Sequence, residues 1–275
     1  LKPLWLKPQR HLSVHSGAAD VRCAAVAGFQ MATLMPRQRR EMLEQAEQET
    51  RPGRYVEPGC PYRADDIMAP EQAVSTGTTI MAVEFDGGVV LGADSRTTTG
   101  DYIANRASRK ITKVHDNIFV CRSGSAADTQ ALTGFVQNYL GQHAVELGKQ
   151  PTVNTCANLF KVFAYNNKDN LMAGLIIAGC DEKKGGQVYT IPLGGALLRT
   201  PCAAGGSGSG YISGLIDEKY RPGMTKAECL EFVRLCVAHA MAIDGSSGGL
   251  IRTVVVEGKN IEEDCVQGDK LPYGP

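Results

Sequence analysis

The feature that most constrains this chain is a pair of apolar runs around Asp86-Gly87-Gly88. Residues 79–85 (TIMAVEF) and 89–94 (VVLGAD) are each about as long as one strand, and a turn of this composition between them signals a β-hairpin. Neither run alternates apolar with polar as a half-exposed strand does. Ile80-Met81-Ala82-Val83 is apolar in both side-chain directions, and so is Leu175-Ile176-Ile177-Ala178 further along. Strands of that kind are covered on both faces. A hairpin that is dry on both sides needs one layer against each face, which predicts a sheet-on-sheet core with helices outside.

The rest of the pattern agrees. Ile111–His115 and Ile118–Arg122 flank Asp116-Asn117 as a second hairpin. Ser125-x-x-Asp128 resembles a capping box, followed by Leu132, Phe135, Val136, Tyr139 and Leu140 at helical spacing. A second helix is predicted over roughly 152–168. Strands are predicted at 171–180 and 187–192, turning at Lys183-Lys184-Gly185-Gly186, and again near 195–203. Thr225-x-x-Glu228 opens another helix reaching about Ile243, and two strands, 251–257 and 261–266, close the chain. Strands and helices in separate blocks indicate an α+β layered fold, not a doubly wound parallel sheet.

Residues 1–77 have a different texture. They show no sustained periodicity, and 37–54 (RQRREMLEQAEQETRPGR) is dense in charge, as in a solvated or disordered leader with at most one short helix. The opening LKPLWLKPQR lacks the long apolar centre of a secretory signal. Lys+Arg and Asp+Glu number 29 each, and the part up to Gly77 holds 10 and 9 of them, leaving 19 and 20. No global field therefore favours nucleic acid or an anionic membrane. The nine cysteines are scattered without CxxC or Cys/His metal spacing, so neither a disulfide framework nor a metal site is expected, and a reducing compartment is.

Hairpin register supplies the first functional hint. Across an Asp86-Gly87-Gly88 turn, facing residues have numbers summing to about 173–175, so Asp94 reaches the start of the strand that follows Ser75-Thr76-Gly77-Thr78-Thr79. By position alone Asp94 could equally end a strand or cap a turn. On their own, GGSGSG (205–210) and DGSSGG (244–249) read as flexible loops; they lack the Lys-Ser/Thr ending of a phosphate-binding P-loop. None of the five histidines lies in a Ser/His/Asp or HExxH context.

Five separated stretches, in order, carry a resemblance: GTTIMAVEFDGGVVLGADSRTTTG (77–100), the lysine of NRASRKI (105–111), CRSGSAADTQAL (121–132), GGSGSGYI (205–212) and DGSSGG (244–249). Together they resemble an active proteasome beta subunit, of the N-terminal-nucleophile hydrolases, over essentially all of 78–275, and the caspase-like (beta type-1) branch most. The resemblance implies a four-layer αββα sandwich, a propeptide 1–77 removed by autocatalytic cleavage between Gly77 and Thr78, and a catalytic domain 78–275.

It further implies that Thr78 is the nucleophile and its freed α-amine the general base, a role that suits an amine whose ordinary pKa is about 7.7–8.0. Lys110 would assist Thr78, and Asp94 would hold Lys110. Gly124 would present a backbone N–H to the oxyanion, and Ser207, Asp244 and Ser247 would surround the amine. Arg122, two residues before Gly124 and so on the same side of a strand, would form the base of the pocket that selects acidic residues before the scissile bond. Thr97, Thr98 and Ala126 would contact substrate. The implied partners are other beta subunits, alpha-subunit rings, regulatory caps and unfolded polypeptides, in the cytoplasm and nucleus, with no cofactor, metal, nucleic acid or membrane. Two other readings are a non-catalytic ring subunit and a stand-alone amidase of the same class. Such ring subunits typically lack the threonine, the lysine or the preceding glycine, all present here.

Overall fold

The structure, a computed structural model, describes residues 76–100 and 102–271, part of a compact unit running Ala73–Pro275. The segment 37–54, where at most one short helix was expected, lies outside the described residues. Strands β1 (Ile80–Phe85) and β2 (Gly88–Ala93) form the first hairpin, with Ile80 facing Ala93 and Phe85 facing Gly88. The partner numbers sum to 173, the tight end of the expected range. Gly88 is therefore a strand residue, and the turn is Asp86-Gly87 alone.

A short ribbon follows, β3 (Thr97–Thr99) with β4 (Tyr102–Asn105), then the hairpin β5 (Ile111–His115) and β6 (Ile118–Gly124). Helices α1 (Ala126–Leu147) and α2 (Val153–Asn166) come next. Four strands return: β7 (Ala173–Asp181), β8 (Gly185–Ile191), β9 (Leu198–Arg199) and β10 (Cys202–Gly205). Helices α3 (Ser209–Lys219) and α4 (Lys226–Ile243) and the hairpin of β11 (Ile251–Glu257) with β12 (Asn260–Val266) complete the elements that shape the fold.

These strands make two five-stranded antiparallel sheets, ordered β10-β1-β2-β11-β12 and β5-β6-β7-β8-β9. Three cores separate four layers. Leu132, Val136, Leu140 and Phe160 of α1 and α2 pack on Val120, Leu175 and Ile177 of the second sheet. Ile80, Leu91, Phe119 and Ile176 meet between the sheets. Met81, Val83 and Val90 face Phe232, Val233, Cys236 and Val237 of α4. Successive residues of β1 thus enter different cores, which is why that strand is apolar in both directions. Burying each such Ile or Leu contributes about 1.5–3 kcal/mol, so the middle layer holds the sheets face to face. This is the α+β, four-layer αββα sandwich that the sequence led us to expect.

Helix boundaries follow from local chemistry. Thr225 and Glu228 form a reciprocal capping box at α4. The box expected at α1 is only half made. Ser125 Oγ accepts from the Asp128 N–H at 3.3 Å, but the Asp128 carboxylate turns away to accept from the Met172 N–H at 3.2 Å. Asp128 thereby joins the helix to the start of β7. Two elements escaped the sequence pattern, the polar β3–β4 ribbon and helix α3. The latter carries Gly210 and Gly214, which cost helix propensity, and it begins inside the stretch read as a flexible loop.

Candidate active site

Thr78 immediately precedes β1 and is 2 % exposed. The hairpin register delivers Asp94 to it as expected: Asp94 Oδ1 accepts from the Thr79 N–H at 2.8 Å. The other oxygen accepts from the N–H groups of Gly248 at 3.0 Å and Arg96 at 3.1 Å. Lys110, just before β5, donates to Asp94 Oδ1 at 2.7 Å and to the Gly77 carbonyl oxygen at 2.8 Å. Both side chains are buried. Burial pushes the Lys110 ammonium below its ordinary range while Asp94 opposes that shift. Burial likewise pushes the Asp94 carboxyl up, against Lys110 and the N–H donors around it. Each charge therefore depends on the other for compensation.

The Thr78 hydroxyl lies 2.7 Å from that same Gly77 carbonyl oxygen. One peptide carbonyl oxygen thus accepts from both the threonine hydroxyl and the lysine ammonium. The Thr78 N–H donates to Ser207 Oγ at 3.1 Å, and Ser207 lies 2.7 Å from Asp244 Oδ2. Ser247 Oγ donates to the same carboxylate oxygen at 2.6 Å and also touches Thr79 Oγ1 at 2.8 Å. The structure therefore assembles Thr78, Asp94, Lys110, Ser207, Asp244 and Ser247 into one connected, mostly buried network.

Gly124 ends β6 with φ +99°, and a side chain there would run into the Met172 carbonyl, so only glycine fits. Residue 76 pairs across the cleft as an isolated antiparallel bridge: the Thr76 N–H and hydroxyl both reach the Gly124 carbonyl, at 3.2 and 2.6 Å. The Gly77 N–H donates to Thr98 Oγ1 at 3.1 Å. Thr98 thus meets the Gly77 backbone through its hydroxyl. Thr97 faces the other way and donates to Ser108 Oγ.

Arg122 extends on the Gly124 side of β6. Its Nε donates to Thr112 Oγ1 at 3.1 Å, one Nη donates to the Arg109 carbonyl at 2.7 Å, and the other points at Thr129 Oγ1 at 3.5 Å. No acidic side chain pairs with it among the described residues. A small pocket of about 50 Å³ collects Thr78, Thr97, Lys110, Arg122, Gly124 and Ala126. The sequence reading missed Arg96, whose guanidinium lies over Gly248 and donates to the Gly245 carbonyl at 2.8 Å. It fastens the loop carrying Asp244 and Ser247 to the strand end carrying Asp94. A lone arginine beside a strand gives no signal of such a contact in the sequence.

Gly77 is sterically demanding as well. A Cβ at this position would meet the Ser246 Cβ and carbonyl oxygen well inside contact distance. Gly77→Ala is therefore expected to lift the Gly77 carbonyl away from Lys110 and the Thr78 hydroxyl. The check is a crystal structure of the Gly77→Ala chain, in which the Lys110 and Thr78 contacts to the Gly77 carbonyl, 2.8 and 2.7 Å here, should lengthen beyond hydrogen-bond range; unchanged contacts would show that the close fit is irrelevant.

Two facing antiparallel sheets between helical layers, with a threonine buried at the head of a central strand, define the N-terminal-nucleophile hydrolase class of fold. The comparisons with known proteins narrow this class. Residues 74–256 match the family described as "Proteasome subunit". "Proteasome subunit beta type-6" of Dictyostelium discoideum is 55 % identical over 209 residues, covering 75 % of this chain and 98 % of the relative. "Proteasome subunit beta type-1" of Saccharomyces cerevisiae is 53 % identical over 189 residues, covering 69 % and 87 %. "Proteasome subunit beta type-6" of Arabidopsis thaliana is 50 % identical over 197 residues, covering 72 % and 84 %. The chain belongs to the proteasome subunit family, on its beta branch, and so to the multi-subunit proteasome core.

Proposed function

We propose that this chain is a catalytic beta subunit, a threonine endopeptidase whose nucleophile is Thr78 and which cuts after acidic residues. The observation that carries the reading is the Gly77 carbonyl, held at 2.7 Å by the Thr78 hydroxyl and at 2.8 Å by Lys110. In maturation the Thr78 oxygen adds to the Gly77 carbonyl carbon, with the Lys110 ammonium facing the oxygen on which negative charge develops. The Gly77–Thr78 C–N bond breaks, the proton passes to the departing Thr78 nitrogen, and water hydrolyses the resulting ester to leave a Gly77 carboxylate. The product is a free amine beside Ser207, within the same hydrogen-bonded network. It can then take the hydroxyl proton when a substrate carbonyl occupies the place vacated by Gly77, and deliver it to the leaving amine.

On this reading Asp94 positions Lys110, Gly124 lines the oxyanion side, and Ser207, Asp244 and Ser247 order the amine. Residues 1–77 are the removed leader on this reading, and 78–275 the working domain. The subunit acts in the cytoplasm and nucleus on unfolded polypeptides admitted through alpha rings and regulatory caps. The test is N-terminal sequencing and intact mass of the subunit from assembled particles. A mature terminus at Thr78 is expected; an intact Gly77–Thr78 bond would leave a non-catalytic ring subunit instead.

Acidic preference rests on Arg122. Its guanidinium is fixed by three neighbours yet paired with no carboxylate among the described residues, so an incoming Glu or Asp can supply the counter-charge. A charge-assisted bond of this kind is worth about 1.5–3 kcal/mol. Arg122→Met should therefore lower kcat/KM for a fluorogenic peptide with Glu before the bond by about 10- to 100-fold, while raising cleavage after Leu. Retained acidic preference would remove Arg122 from the pocket.

A further inference from the structure

A second cavity adjoins the site, and none of the roles assigned above uses it. It holds about 400 Å³ and is lined by Ile80, Met172, Leu175, Ile191, Leu193 and Ser207, among others. That volume is within the range of pockets that enclose small ligands or single side chains. It shares Thr76, Ser123 and Gly124 with the Arg122 pocket, and the two part company from there. Strand β6 pairs with β5 on one edge and β7 on the other. The Arg122 pocket lies over the β5 edge, at Arg109 and Lys110, whereas the second cavity lies over the β7–β8 edge, at Met172, Leu175 and Ile191. The end of β6 is the wall between them.

The second cavity also reaches Gly206 and Ser207, and Ser207 Oγ is where the Thr78 nitrogen is bound. On the reading of Thr78 as nucleophile and base, the leaving amine of a substrate departs on the side of that nitrogen. From the geometry we infer that this cavity receives the side chain following the scissile bond, and that it selects an apolar one. Its lining contains no Asp, Glu, Lys, Arg or His, in contrast to Arg109, Lys110 and Arg122 across the wall. A charged side chain entering it loses hydration with no partner in return, whereas an apolar one gains by leaving water. Leu193, on the loop after β8, is 64 % exposed at its rim, and burial by a bound side chain would remove that apolar surface from water. The two pockets together recognise an acidic residue before the bond and a bulky apolar residue after it.

This inference rests on the function proposed above, and the experiment separates the two. Assembled core particles are assayed with internally quenched peptides that hold Glu before the bond and vary the next residue among Phe, Leu, Ala, Lys and Asp. Particles carrying Thr78→Ala supply the background rate from other subunits. Phe or Leu should exceed Asp by about tenfold in kcat/KM, the scale of discrimination that an apolar pocket achieves. Leu193→Asp should cut the Phe and Leu rates and raise the Lys rate. It should leave unchanged the affinity for a peptide aldehyde ending in Glu, which occupies only the Arg122 side. Equal rates across the series, or an aldehyde affinity that falls in step with them, would overturn the second pocket while leaving cleavage after Glu intact. Loss of all cleavage above background would overturn the assignment of Thr78 itself and the second pocket with it.

Discussion

With Thr78 as the proposed nucleophile, Thr78→Ala should leave the subunit at its full precursor mass and reduce its peptidase activity by at least about a thousandfold, since loss of a covalent nucleophile commonly costs that or more. The two effects share one cause. The Thr78 hydroxyl lies against the Gly77 carbonyl, at 2.7 Å, and among the described residues no cysteine or serine side chain hydrogen-bonds to that oxygen. Serine offers the same hydroxyl, so Thr78→Ser should still release the leader, more slowly. Intact mass of subunits from assembled particles, together with turnover of a Glu-containing peptide, reads both effects. Leader loss in the alanine variant would mean that another group, or another subunit, cuts this bond. The fold should tolerate the change, because the core contacts begin at Ile80.

Lys110→Ala should be equally inactive, for a different reason and with a second symptom. The Lys110 ammonium and the Asp94 carboxylate are 7 % and 0 % exposed. Removing the lysine leaves a buried carboxylate without its counter-charge, which typically costs about 3–5 kcal/mol. The Gly77 carbonyl simultaneously loses the donor at 2.8 Å that would stabilise charge on its oxygen. Reduced stability alone could explain a dead enzyme, so the pair is best changed together. Lys110→Met with Asp94→Asn removes both charges; Asn keeps one acceptor oxygen, so either the Thr79 N–H or the Gly248 and Arg96 N–H groups lose their acceptor. The double variant should recover part of the stability, read as thermal midpoint or assembly yield, and still fail to process its leader. Processing restored along with stability would reduce Lys110 to a structural ion pair.

Part of this site was legible in the sequence because it is local. A two-residue turn fixes antiparallel register, so Asp86-Gly87 carries Asp94 to Thr79 with no tertiary information. The capping signals at 125 and 225 likewise found helix starts, though Asp128 preferred the Met172 N–H 44 residues away to its own helix end. Other parts were reached only through resemblance to a family. Ser207 binds the Thr78 nitrogen across 129 residues of chain, and Gly248 reaches Asp94 across 154. No periodicity encodes contacts that distant, since they arise from how separate layers stack.

What the sequence determined by itself is the layered frame. Strands apolar in both directions must lie between two covers. Only the tertiary structure decided what that frame holds. Stacking one sheet on the other placed Lys110 and Thr78 on a single carbonyl oxygen and drew the 244–249 loop over Asp94 under Arg96. It also opened an uncharged cavity beside a cationic pocket, with the end of β6 between them. The physical reason is that hydrogen-bond register acts along neighbouring strands, whereas buried charges and cavities depend on surfaces that meet only after the chain has folded.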